Sequence, residues 1–220
     1  RKAADQGDKD AFNNVGWAYH QGLGTPRNYI EARKWYLKAV EHNDPYAQDN
    51  LGLLYQNGQG VAVDFKKALE WYHLASEQEN EWGLLHLGNM YRRGMGVKRD
   101  YVKARELFVK AAEKGMIDAY LQLAEIYELG LGVEKNLKTS AEWLKKSQSV
   151  DNDYESEAVA GLGVMKHRKH AKLLLKEIER DIKETDVERY NKKVLRYTNI
   201  KFGTYHALVI GNNHYKHLRN

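Results

Sequence analysis

Tyr46-Ala47-Gln48-Asp49-Asn50-Leu51-Gly52-Leu53-Leu54-Tyr55-Gln56-Asn57-Gly58-Gln59-Gly60 is the stretch on which the fold turns. Ala47, Leu51, Leu54 and Tyr55 fall at helical spacing, which predicts a helix over 46–57. Gly52 lies on the same face and has no side chain, so a neighbouring helix can approach closely there. Gly58-Gln59-Gly60 then supplies the left-handed backbone that ends a helix, at little steric cost to glycine. Asp64 follows as an N-cap, and a second helix carries Ala68, Trp71, Tyr72 and Ala75 on one face. The unit is a helix pair.

That unit recurs. Gly16, Gly52, Gly88 and Ala124 are separated by 36 residues, as are Tyr19, Tyr55, Tyr91 and Tyr127. The turn glycines repeat as Gly22, Gly58, Gly94 and Gly130, then as Gly24, Gly60, Gly96 and Gly132. The second helices repeat as Ala32, Ala68, Ala104 and Ser140; as Trp35, Trp71, Leu107 and Trp143; and as Ala39, Ala75, Ala111 and Ser147. Caps fall at Asn28, Asp64, Asp100 and Asn136, with Asn28 and Glu31 at capping-box spacing. Small residues alternate with Trp and Tyr, so large side chains of one helix fill the space over Ala and Gly of the next. Trp35, Trp71 and Trp143 read as core. A fixed period of this length predicts an all-α fold, a right-handed α-α superhelix (solenoid) of about four 36-residue helix-turn-helix repeats over residues 1–150.

Composition agrees with a globular helical body: 42% apolar, 30% charged, two prolines. No run of about 18 apolar residues is present, so no membrane span is expected. Cysteine is absent, which excludes disulfides, thiolate metal sites and a cysteine nucleophile within the 220 residues and leaves the redox compartment open. Arg1 to Gly7 reads as the end of a helix that begins upstream rather than as a signal peptide, so the compartment, cytoplasmic or periplasmic, is also left open. Residues 1–163 hold 21 basic and 24 acidic groups, whereas residues 164–201 hold 12 and 6. The basic character therefore lies after the repeats.

Ala47, Leu51-Gly52, Tyr55, Gly58, Gly60-Val61, Asp64, Lys67-Ala68, Trp71-Tyr72 and Ala75 resemble the Sel-like repeat (SLR) family, relatives of the tetratricopeptide repeats. The resemblance covers roughly residues 1–150 and implies an adaptor or scaffold role; Ala124 and Ser140 depart from the pattern in the last copy. By analogy with tetratricopeptide grooves, three columns of first-helix positions would line a concave face that holds a protein or peptide ligand. These are Asn13, Asp49, Leu85 and Leu121; Trp17, Leu53, Asn89 and Glu125; and His20, Gln56, Arg92 and Glu128, with Arg93 beside the third. The mixture suits a protein segment better than a nucleic-acid backbone, which needs a continuous basic track. Trp17 is either a ligand anchor or packed on its own turn. Arg92 and Arg93 either clamp a carboxylate or answer Glu125 and Glu128 across the groove.

Beyond Ser149, residues 151–201 read as capping and connector helices: a polar linker at Asp151-Asn152-Asp153-Tyr154, a degenerate first helix over Ala158 to Met165, then a helical stretch from Lys166 to about Tyr197. Leu174, Ile178 and Ile182 form one apolar stripe, Tyr190, Val194 and Tyr197 another. Thr185-Asp186-Val187-Glu188 has capping-box spacing and predicts a break between them. The cluster Lys166-His167-Arg168-Lys169-His170 offers a possible contact to nucleic acid or anionic lipid, but acidic residues interrupt the helix that follows, so a solvated face is the expectation. His167 and His170 lack further ligands, and no metal or cofactor is expected. His206-Ala207-Leu208-Val209-Ile210 reads as one orphan β-strand, docked on the last helices or paired with another chain. Tyr205 to Tyr215 with Leu218-Arg219-Asn220 resembles the first strand and loop of caspase-like cysteine peptidases, most like bacterial and metacaspase-type members. That implies that residues 202–220 begin a truncated caspase-like domain, whose catalytic His and Cys would lie downstream; no residue of this chain matches them, His206 and His214 included. The readings that follow are a scaffold that recruits for its own downstream peptidase domain, an active cysteine peptidase in the full-length parent, or nucleic-acid binding through the basic helices of 166–201.

Overall fold

The computed structural model describes residues 2–149, 173 and 175–189. After the short α1 (Lys2–Asp5), helices alternate as first and second members of pairs: α2 (Asp10–Gln21) with α3 (Tyr29–Val40), α4 (Pro45–Asn57) with α5 (Phe65–Glu77), α6 (Glu81–Arg93) with α7 (Tyr101–Glu113), and α8 (Ile117–Leu129) with α9 (Leu137–Ser149). Residues 175–189 are also helical, and no strand occurs among the described residues. The protein is an all-α solenoid.

Each pair closes by the same local chemistry. Gly22, Gly58, Gly94 and Gly130 end the first helices in left-handed backbone, with φ of 78°, 66°, 71° and 70°. Asn28 Oδ1 accepts the backbone N–H groups of Ile30 and Glu31, both at 3.1 Å, and Asp64 Oδ1 accepts those of Lys66 and Lys67. Asp100 and Asn136 repeat the arrangement on Lys103 and Thr139. The capping box at Asn28 is only half made, because the Glu31 carboxylate takes Lys34 at 2.6 Å instead. Two further caps, themselves 36 residues apart, start the first helices of the middle repeats: Asp44 on α4 and Asn80 on α6.

Stacking rests on close approach at glycine. A methyl group at Gly16 would fall 2.6 Å from the Tyr36 ring, and one at Gly88 2.6 Å from the Phe108 ring; Gly52 meets Tyr72 in the same way. Ala124 departs from the pattern because its counterpart, Leu144, has no ring to accommodate. The second turn glycine joins successive pairs: a methyl at Gly96 would lie 2.6 Å from the Phe65 carbonyl oxygen, and one at Gly132 2.8 Å from Tyr101 Cβ. Trp35 is buried, while Trp71 and Trp143 are half-buried against the core.

Leu175 and Ile178 are buried against Ala124, Ala141 and Leu144, with Ile182 alongside, so the helix over 175–189 covers the apolar end left by α8 and α9. The helix break expected at Thr185 to Glu188 is absent: residues 175–189 are continuous. The Thr185 hydroxyl donates to the Asp181 carbonyl one turn back, at 2.8 Å, and so does not serve as an N-cap. The linker at 151–154, the segment 158–165, the basic cluster 166–170, Leu174, the stripe Tyr190 to Tyr197 and the strand at 206–210 lie outside the described residues. No described helix is long and apolar enough to cross a membrane.

Candidate protein-binding face of the first helices

The first helices α4 and α6 lie against one another, an approach that no pair of second helices makes to the same extent. The first helices therefore occupy the inner side of the stack. Three polar contacts tie successive members together. Asn50 Nδ2 donates to Asn13 Oδ1 at 3.0 Å; His86 Nδ1 meets Asp49 Oδ1 at 2.7 Å; and Arg92 Nη1 reaches both Glu125 oxygens, at 3.1 and 3.2 Å.

These contacts divide the expected groove residues. In the first column Asn13 and Asp49 are committed to the seam between repeats, Leu85 is buried in the core, and Leu121 is half-buried against the terminal helix. The second column is the most open: Trp17 is 41% exposed, Leu53 and Asn89 are half-buried, and the Glu125 side chain is 42% exposed. The third column serves the core. His20 Nδ1 and the Tyr36 hydroxyl share a hydrogen bond at 3.1 Å, and the Tyr72 hydroxyl donates to Gln56 Oε1 at 3.0 Å. Arg92 pairs with Glu125, Glu128 is half-buried, and Arg93 is exposed.

The analogy missed the residues about two helical turns toward the N-terminus of the second column. Tyr46 and Trp82 start α4 and α6, are 46% and 42% exposed, and lie on the same stripe as Leu53 and Asn89. His86 belongs to this stripe, its ring between those of Tyr72 and Trp82, with centroids at 5.1 and 6.0 Å. Tracing the 3.6-residue period back from Trp17, Leu53 and Asn89 is the signal that finds them.

The electrostatics of the seam are local. Burial alone would push the His86 imidazole down, but the charge and hydrogen bond of Asp49, with Asp118 beyond, hold it above its ordinary value. Burial pushes His20 below its ordinary value. The Tyr36 and Tyr72 phenols are raised by burial, with the Asp49 charge adding to it, so both remain hydroxyls at any physiological pH. The described residues hold no cluster of metal-ligating side chains. The helix over 175–189 carries six acidic and four basic residues, so it presents no continuous basic track.

The Sel1 repeat model matches residues 10–44, 45–80, 83–116 and 117–147. A protective antigen of uropathogenic Escherichia coli strains, displaying an SLR fold, is 45% identical over 67% of this chain, with a TM-score of 0.63. The match covers 32% of that protein, so the chain spans about a third of its length. A Sel1 repeat protein from Oxalobacter formigenes is 31% identical over 79% of this chain and 73% of its own, with a TM-score of 0.62. A Sel1 repeat protein from Klebsiella pneumoniae shares the fold at 21% identity, over 87% of this chain and 96% of its own, with a TM-score of 0.57. None of the curated proteins matches.

Proposed function

We propose that this chain, which belongs to the Sel1 repeat family, holds a segment of a protein partner along the face of its first helices. Sel1 repeat proteins act as protein–protein interaction scaffolds. The observation that carries the reading for this chain is the exposure of Trp17, Tyr46 and Trp82, large aromatic rings on three successive first helices and on one side of the stack. Rings of this size lose contact area to water unless a partner covers them, and Trp and Tyr dominate the energetics of protein interfaces. Around them Leu53 and Asn89 supply a half-buried floor, and Glu125 and Arg93 a charged rim.

Selection of a displayed random-peptide library against the full chain tests this. Selected peptides are expected to bind the native chain and to lose about 1–2 kcal/mol of affinity on Trp17→Ala or Trp82→Ala. Selected peptides indifferent to both substitutions would remove the face from consideration.

A finer reading concerns what the scaffold serves. The run Tyr205 to Tyr215 supports a caspase-like peptidase domain as the unit for which the repeats recruit. A parent sequence with no His and Cys pair following this run would end that reading.

A further inference from the structure

We propose that the segment taken by the first-helix face is cationic, a lysine- or arginine-bearing peptide whose side chains cover Trp17 and Trp82 and reach the carboxylates of α8. The inference rests on the preceding reading of the face and adds the chemistry of what binds there.

Charge is divided unevenly between the two sides of the array. The first helices α4, α6 and α8 carry five acidic residues against two arginines, whereas the second helices α5, α7 and α9 carry five acidic residues against eight lysines and arginines. The acidic excess peaks on α8, with Asp118, Glu125 and Glu128. Arg92 answers Glu125, yet that carboxylate side chain remains 42% exposed. A face with a net acidic excess raises the local concentration of cationic groups and speeds their arrival.

The aromatic rings point the same way. On the second helices the protein covers its own rings with lysine: Lys38 Nζ lies 4.2 Å from the Trp35 centroid and Lys146 Nζ 4.2 Å from that of Trp143. Among the described residues no lysine or arginine covers Trp17 or Trp82; the ring beside each is an imidazole, His20 at 5.7 Å and His86 at 6.0 Å. An exposed ring on a face with an acidic excess suits an ammonium or guanidinium group, the ring quadrupole and the net charge acting together. Trp82 opens α6 and Asp118 sits near the start of α8; Trp17 and Glu125 occupy equivalent positions. A basic segment laid across the helices meets the aromatic and acidic positions in turn.

Titration calorimetry on the full chain with an oligolysine octapeptide, and with oligoglutamate and oligoserine octapeptides beside it, decides the matter. Oligolysine is expected to bind, to perturb tryptophan emission, and to weaken steeply with added salt. Trp82→Leu or Trp17→Leu should each weaken it roughly three- to thirtyfold, and Glu128→Gln should weaken it and reduce its salt dependence. Trp17 and Trp82 are 41% and 42% exposed, so each variant is expected to fold, with circular dichroism as the check. No oligolysine binding, or binding that none of the three substitutions weakens, overturns the proposal. Preference for oligoglutamate or oligoserine that the Trp variants still weaken also overturns it while leaving the face as a binding site; indifference of every peptide to the Trp variants removes both. Concentration-dependent self-association abolished by the same variants would name a second copy as the occupant and overturn it too.

Discussion

Gly88→Ala and Phe108→Leu are each expected to destabilise the array, and together to destabilise it far less than their sum. The Gly88 methyl would fall 2.6 Å from Phe108 Cε1 and 2.9 Å from Cδ1, inside any tolerable carbon–carbon contact. Phe108 is wholly buried, so its ring has little room to yield. Overpacking of this kind costs about 1–3 kcal/mol, against which alanine returns about 1 kcal/mol of helix propensity. Phe108→Leu alone leaves a void over a glycine and costs about 1–2 kcal/mol. The double variant reproduces Ala124 facing Leu144, a pairing that the fourth repeat already packs with Leu144 wholly buried. A favourable coupling of about 1–2 kcal/mol is therefore expected between the two sites. Urea unfolding of the full chain followed by far-ultraviolet circular dichroism measures it, with the slopes compared because repeat arrays can lose cooperativity. A coupling within about 0.5 kcal/mol of zero would refute the claim that the ring is what excludes a side chain from the glycine column.

Three further outcomes follow from the seam and the caps. Asp49 raises His86 above the ordinary imidazole value of 6.5, so folding favours the protonated ring. That stability is complete below the unfolded value and is lost as pH rises through the higher folded one; His86→Gln should cost more at about pH 5.5 than at about pH 9, and equal costs would exclude the ion pair. Burial lowers His20, so its contribution is present above 6.5 and declines as pH falls below it. His20→Gln, which copies the Gln56 bond to the Tyr72 hydroxyl, should flatten the acid limb of the stability curve, and a limb unchanged in slope would argue against it. Asp64→Ala removes the one oxygen that accepts two orphan N–H groups, at 3.1 and 3.0 Å, and should cost about 1 kcal/mol in the same urea titration; a change within about 0.3 kcal/mol would mean that water replaces the cap.

The features legible in the sequence are those that a single residue type enforces locally. A left-handed C-cap needs glycine, an N-cap needs a short acceptor, and a close crossing needs the absence of a side chain, so Gly58, Asp64 and Gly52 could be read without neighbours. The binding face was harder because it depends on how helices rotate against each other. The 36-residue period names equivalent positions, but the seam joins residues 37 apart, Asn13 to Asn50 and Asp49 to His86. One residue on a helix is a turn of about 100°, enough to move Asp49 from an expected groove wall into the joint. Polar residues at Asn14, Asn50, His86 and Gln122, each beside the core positions Val15, Leu51, Leu87 and Leu123, were the available hint that a polar seam runs there. The Thr185 motif failed for a related reason: the spacing of a capping box says nothing when the helix already has its preceding turn and the hydroxyl can bond back to Asp181.

The third column shows how an array of near-identical units acquires a distinct end. In the first two repeats a buried tyrosine hydroxyl must be satisfied, and position 20 or 56 is committed to it: His20 for Tyr36, Gln56 for Tyr72. In the third repeat the ring is Phe108, which asks for no partner, and the equivalent Arg92 turns instead to Glu125 of the next repeat. In the fourth the ring is gone, Leu144 takes its place, and the column ends in the half-buried carboxylate of Glu128. Loss of one buried hydroxyl thus frees one first-helix position per repeat for charge, and the charges appear from that point onward. Restoring the hydroxyl with Phe108→Tyr sets the two demands on position 92 against each other: a buried phenol beside an arginine that only donates has no acceptor unless Glu125 is surrendered to it.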